Sequence, residues 1–281
     1  MSMSELAAAH GLKRVGARPR LGSYLRQVWE RRQFIITMAR YRISVENQNN
    51  RLGAVWLFLK PLLNALVYGL IFGVLQGGNR PDDYPAYVVI GVFLYEFFSK
   101  CFSQGAKAIT GNRFLVQSLA FPRIALPLAV AVQELLNQGP MLAVMAIVLM
   151  VLGHWPTWDW LLLPVLLISY TLFNTGVAFI TARLTVHFRD LTQILPFISR
   201  ILFYTSGVLF NVDKLFANHP AVIQLFNWHP IYQVLDIARS LLMPHASYNP
   251  MFWLYTALWG VCTFVGGFIF FWVAEERYGR E

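Results

Sequence analysis

Six blocks of apolar residues, each about twenty long, constrain this chain more than any other feature. They lie at about 54–75, 86–106, 125–152, 160–182, 192–211 and 252–273. An α-helix needs about twenty apolar residues to cross roughly 30 Å of hydrocarbon, and in lipid only a helix or a closed barrel satisfies its own backbone. Charged residues make up 13% of the chain, against about 25% in a soluble domain. The sequence therefore predicts an all-α integral membrane protein with six transmembrane helices over 54–273. The third block is longer than one crossing needs, and Gly139-Pro140 predicts a kink in it.

Alternating sides after each span gives a test of orientation. With the N-terminus inside, 17 of the 23 lysines and arginines fall on the inner side, 3 (Arg80, Lys214, Arg239) fall on outer loops, and Lys60, Lys100 and Arg200 lie within spans. This bias predicts both termini in the cytoplasm, and it reads the net charge of +9 as a membrane face and not a nucleic-acid surface. Residues 1–20 are basic and lack an apolar run, so they read as a disordered cytoplasmic tail; residues 274–281 form a second cytoplasmic tail. Over 21–45, apolar Leu21, Leu25, Val28, Ile35, Ala39 and Ile43 alternate with arginines around Trp29. That pattern predicts an amphipathic helix in the membrane interface, with a soluble helix packed on a partner as the alternative. Between spans five and six, residues 212–251 interleave apolar runs with Pro220, Pro230, Pro244 and Pro250. Two short outer helices are expected there, either on the membrane surface or dipping back into it.

The sequence offers little for catalysis. Cys101 and Cys262 sit inside apolar blocks, so no disulfide framework or zinc site is indicated. A serine hydrolase read into Tyr204-Thr205-Ser206-Gly207 lacks a histidine in the last span, and the histidines form no HExxH pair. No GxxxxGK[ST] loop is present, so any energy for pumping comes from another subunit.

Several strings in fixed order carry a family resemblance over about residues 24–279. They are Arg40-Tyr41-Arg42-Ile43-Ser44, then Leu52-Gly53 and Trp56 with Lys60-Pro61, then Phe121-Pro122-Arg123, His187-Phe188-Arg189-Asp190, and His229-Pro230 leading to Ala238-Arg239. The chain thereby resembles the permease subunit of type-2 ABC exporters of polysaccharides such as O-antigen, capsule and teichoic acid. It departs from that pattern by an insertion over 45–51 and by His229, where the family usually has Asn before the proline.

The resemblance implies a homodimer in the bacterial plasma membrane with two ATP-binding ABC subunits, exporting a lipid-linked glycan between the protomers. The chain itself then needs no cofactor, ATP and Mg being held by the partner. It also implies that 107–123 is the coupling segment that docks on the ATPase, with Asn112, Arg113 and Phe114 as contacts; a loop that merely obeys the charge bias is the alternative. For the substrate path, the fifth span carries a narrow stripe. With Phe197 at zero and about 100° per residue, Gln193, Arg200 and Tyr204 all fall within about 60° on one side. Arg200 lies roughly 13 Å into the span, a depth at which a charge reads as functional. It either attracts an anionic linkage or pairs with Glu134 or Glu96. In the first span Lys60, Asn64 and Tyr68 advance along one side, with Trp56 near its entrance, opposite Gly69, Gly73 and Gly77. The polar side is assigned to the path and the glycine side to packing. Rings suit sugar faces and amides suit hydroxyls, although aromatic residues are also common in membrane helices. Glu96 and Lys100 are expected to pair along their own helix. A drug or lipid efflux permease is the nearest rival function, and a polytopic glycosyl- or phosphotransferase is a more distant one.

Overall fold

The computed structural model describes residues 20–48, 51–75, 83–119, 121–243, 248–275 and 278. Most of the expected tails, with Gly77, Arg80 and Pro244, lies outside the described residues. The described residues are almost wholly helical. Helices α1 (Leu21–Glu30) and α2 (Arg32–Gln48) precede α3 (Val55–Leu75) and α4 (Tyr84–Ala106). A short 3-10 turn then leads to α5 (Arg113–Ser118), followed by α6 (Ala125–Val151), α7 (Leu163–His187) and α8 (Leu191–Thr205). Three short helices, α9 (Val212–Leu215), α10 (Pro220–Asn227) and α11 (Pro230–Leu242), come before the last long one, α12 (Met251–Val273).

Five segments among the described residues are long and apolar enough to cross a membrane: α3, α4, α6, α7 with the 3-10 turn Trp158–Leu162 before it, and α12. The fifth expected span is the exception. Its helix α8 has 15 residues, about 22 Å at 1.5 Å per residue, and Gly207 then turns the chain through a left-handed φ of 65°. The apolar block over 192–211 is thus part helix and part irregular chain, which hydropathy does not distinguish. Two further expectations are adjusted: the 21–45 helix is two helices broken at Arg31, and three helices, not two, follow α8; α6 runs through Pro140 without ending there.

Helix α4 sits at the centre, with residues buried on every side, packed against α3, α6, α7 and α8. Helices α7 and α12 form the most intimate pair because glycines remove the side chains between them. A Cβ on Gly260 would lie 2.7 Å from the Ser169 carbonyl oxygen, and one on Gly267 would lie 2.5 Å from that of Gly176. Phe179 closes the pair against Phe264, Phe268 and Phe271. In α3 the glycine side gives only modest packing: Gly73 meets the Tyr84 ring, while Gly69 faces open space.

The two ends of the bundle differ. At one, Tyr24 of α1, Arg123 and Glu275 converge; at the other lie Asp83, His154 and the chain after α8. Leu21, Leu25 and Trp29 of α1 point away from the bundle, and Ile35 of α2 packs with Ala125 and Ala129 of α6.

Candidate functional site

Helices α3, α4 and α8 enclose an open cavity of about 190 Å³. Its walls carry Asn64 and Tyr68 from α3, Tyr95, Glu96 and Ser99 from α4, and Ser199, Arg200 and Phe203 from α8. The polar residues are held by a ladder between α4 and α8. Ser99 and Ser199 share a hydrogen bond of 2.9 Å, and the Tyr95 hydroxyl donates to the Ser199 carbonyl. Phe203 packs its ring 5.0 Å from Tyr68 and 5.1 Å from Tyr95. Arg200 is exposed to the cavity and forms no ion pair with Glu96 or Glu134 among the described residues. Glu134 is buried elsewhere, next to Asn137.

A second cavity, of about 80 Å³, lies beside the first and shares Glu96 with it. Trp56 and Lys60 line it together with Glu46, Lys100 and Asn137. Lys100 stands 4.0 Å from Glu96 along the helix, the expected pair. The two cavities form a polar track that carries Lys60, Lys100 and Arg200 against Glu46 and Glu96.

The structure thus brings Asn64, Tyr68 and Arg200 to one cavity and Trp56 and Lys60 to its neighbour. It does not bring the rest of the α8 stripe there. The cavity-facing side of α8 is centred on Pro196, Ser199 and Phe203, about 95° around the helix from the predicted stripe at 100° per residue, and Arg200 borders both. Gln193, Phe197 and Tyr204 are exposed on the surface of the chain, Tyr204 beside Tyr68 at the cavity's edge. Tyr95, Ser99 and Ser199 were not anticipated. Their only sequence signal is the four-residue spacing of Tyr95 and Ser99 on α4, which a single helix cannot distinguish from chance.

The irregular chain after α8 is held by side chains. Tyr84 donates to the Leu209 carbonyl (2.9 Å), Tyr87 to Phe210 (2.7 Å) and Gly207 (3.1 Å), and Arg239 to Val208 (3.0 Å). Non-helical backbone at membrane depth is tolerated only when protein or water satisfies it in this way. Arg239, counted in the sequence as an outer-loop charge, is 3% exposed and stacks 3.3 Å from the Tyr87 ring centre. Burial pushes the nearby Asp236 carboxyl up to about 7, with Arg239 opposing. His229 caps α11 by accepting from the Tyr232 N–H at 3.3 Å, the role that an Asn side chain fills equally well.

The expected coupling residues occupy the opposite end. Phe114 is 80% exposed and Arg113 is exposed beside it, whereas Asn112 turns inward and donates to the Ala108 carbonyl at 2.8 Å. Helix α5 has six residues, of which only Val116 is buried, and Phe114 and Leu119 are exposed.

A multi-pass helical chain with a polar track between its helices defines a membrane transporter subunit, and comparison with known proteins specifies which. The family described as ABC-2 type transporter matches residues 32–243, and the chain belongs to that family. It is 32% identical over 221 residues, 79% of this chain and 84% of the relative, to a Myxococcus xanthus protein named O-antigen export system permease protein RfbA. A Klebsiella pneumoniae protein of the same name is 24% identical over 74% of this chain and 80% of its own. The polysialic acid transport protein KpsM of Escherichia coli is 23% identical over 76% of this chain and 85% of its own.

Proposed function

We propose that this chain is the permease of an ATP-driven exporter of a lipid-linked polysaccharide in the bacterial plasma membrane. The observation that carries the reading is the cavity between α3, α4 and α8, where Asn64, Ser99 and Ser199 offer hydrogen bonds, Tyr68, Tyr95 and Phe203 offer rings, and Arg200 offers a cation. Hydroxyl-rich sugars need the first two, and an anionic linkage to a lipid needs the third. The relatives' names, O-antigen export and polysialic acid transport, point to the same substrate class. An apolar lumen with Arg200 hidden would have favoured efflux of drugs or lipids, and a metal-binding carboxylate cluster a transferase.

The remaining parts of the reading follow from charge and geometry. Six crossings with both termini in the cytoplasm agree with the charge bias. Two copies form the path between them, in this reading, with Gln193, Phe197 and Tyr204 facing the second copy or the lumen. Two ATPase subunits hold ATP and Mg and dock on the 107–123 segment through Arg113 and Phe114. Helices α1 and α2 lie in the inner interface, and α9–α11 lie at the outer end. Cells lacking the chain should stop displaying the polymer and should recover it with the wild-type chain but not with Arg200→Ala. Full display by cells lacking it, with an intact ATPase, would refute the reading.

A further inference from the structure

At the end of the bundle that carries α1, three segments far apart in sequence meet on a single carboxylate. Glu275, two residues beyond α12, is 4% exposed. Its Oε2 accepts the Tyr24 hydroxyl at 2.7 Å, and its Oε1 accepts the Arg123 backbone N–H at 2.9 Å. The Arg123 guanidinium donates back to the Glu275 carbonyl at 3.0 Å, and its Nη1 lies 3.8 Å from Oε1. Each carboxylate oxygen therefore holds a different element, α1 through Tyr24 and the end of the 107–123 segment through Arg123. Phe271 and Tyr278 brace the site, with ring centres 4.5 Å apart and the Tyr278 hydroxyl donating to the Phe271 carbonyl at 3.1 Å.

Helix α1 is otherwise thinly attached, Tyr24 being the one buried residue of its ten, whereas Arg123 stands between buried Pro122 and Ile124 at the start of α6. A buried carboxylate with strong donors on both oxygens is far more rigid than such contacts alone. Burial pushes the Glu275 carboxyl up, while the Arg123 N–H and the Tyr24 hydroxyl pull it back. Glutamine at this position would keep the size and one acceptor, and alanine would leave two buried donors without partners.

We infer that Glu275 is a positioning residue that binds α1, the end of the coupling segment and the end of α12 into one rigid body, so that a displacement of the coupling segment carries α1 with it. This rests on the reading that residues 107–123 dock on the ATPase. The inference gives the thin helix α1 a role in transmission: motion received at Phe114 reaches the membrane interface through Arg123, Glu275 and Tyr24.

The test uses the full complex in lipid nanodiscs, with Cys101 and Cys262 replaced by alanine and nitroxides at Ser23 and Gln117, both exposed. Distances are read by electron double resonance, nucleotide-free and with ATP trapped by vanadate. The wild-type distribution should be narrow and the same in both states. Tyr24→Phe keeps the ring but removes the tie, so its distribution should broaden and shift on trapping, with export falling about tenfold, equivalent to 1.4 kcal/mol, while ATP hydrolysis continues. Glu275→Gln should fall between the two. A wild-type distance that changes on trapping, or a Tyr24→Phe variant indistinguishable from wild type in distance and export, would overturn the inference. Failure of the docking reading looks different, because the ATPase would then not co-purify with the wild-type chain. In that event the isolated chain still decides the tie, by a narrow wild-type distribution against a broad one in Tyr24→Phe.

Discussion

Adjacent glycines in α12 offer a test in which one chemical change should have opposite signs. Replacing glycine by alanine inside a helix stabilises it by about 0.8–1.0 kcal/mol through backbone entropy. At Gly266 the added methyl meets nothing within 4 Å, so Gly266→Ala should show that gain. At Gly267 it would lie 2.5 Å from the Gly176 carbonyl oxygen, where ordinary contact begins at 3.4 Å. Because the obstacle is backbone and cannot rotate away, α7 and α12 must part by about 1 Å, which forfeits a quarter to a half of the dispersion energy of each contact pair affected. Overpacking of this kind costs about 1–3 kcal/mol. Set against the propensity gain, Gly267→Ala should be destabilised by up to about 2 kcal/mol. Equilibrium unfolding in mixed detergent micelles, followed by near-ultraviolet circular dichroism, measures both variants on one scale. The packing argument is wrong if Gly267→Ala is as stable as Gly266→Ala, or if both move in the same direction.

Four further outcomes follow from the same contacts. Arg200 has no carboxylate partner among the described residues, so Arg200→Ala should accumulate at wild-type levels and still lose export by about tenfold, a 1.4 kcal/mol effect; poor accumulation of the mutant, restored by a second change at Glu96 or Glu134, would revive the structural pair. Tyr87→Phe strips the Gly207 and Phe210 carbonyls of their donor and should cost about 1–3 kcal/mol of stability by detergent unfolding, whereas a neutral effect would mean that the chain after α8 is not held there. His229 must be unprotonated at Nδ1 to cap α11, and burial lowers its pKa below the ordinary value. At this site the unfolded state therefore binds more protons, so the His229 contribution falls as pH drops below about 6.5, against the opposite slope of the raised Asp236 carboxyl; the stability of wild type relative to His229→Asn should fall in melting curves recorded from pH 8 to 5. Phe114→Ala with charge reversal at Arg113 should leave the fold intact by circular dichroism yet release the ATPase subunit in co-purification.

Much of this architecture was legible because a membrane imposes few solutions on a chain. Blocks of twenty apolar residues gave α3, α4, α6, α7 and α12, and the placement of Lys60, Asn64 and Tyr68 on one side of α3 led to the cavity. The α8 region was not legible, since Ser206 to Asn211 are as apolar on average as a helix end and the turn depends on Gly207 and on donors from Tyr84, Tyr87 and Arg239. Those donors lie more than a hundred residues away on α4 or thirty residues ahead on α11, and no local pattern announces them. The rotation of the α8 stripe has the same origin: helical geometry groups Phe197 with Arg200, but the side that meets α3 and α4 is decided by the contacts of Ser199 and Phe203. Glu275 and Tyr24 are separated by 251 residues, and neither carries a signal beyond being polar near a helix end.

The account stands on the claim that a glycan passes the cavity between α3, α4 and α8, and site-specific photocrosslinking addresses it directly. A photoreactive phenylalanine analogue at Tyr68, within the cavity, and at Trp155, an exposed position outside it, would be irradiated in cells making the polymer, with and without an active ATPase. The account predicts a glycan-bearing adduct at Tyr68 that disappears when the ATPase is absent or the polymer is not made, and none at Trp155. Lipid adducts alone at Tyr68, or equal glycan capture at both positions, would contradict it.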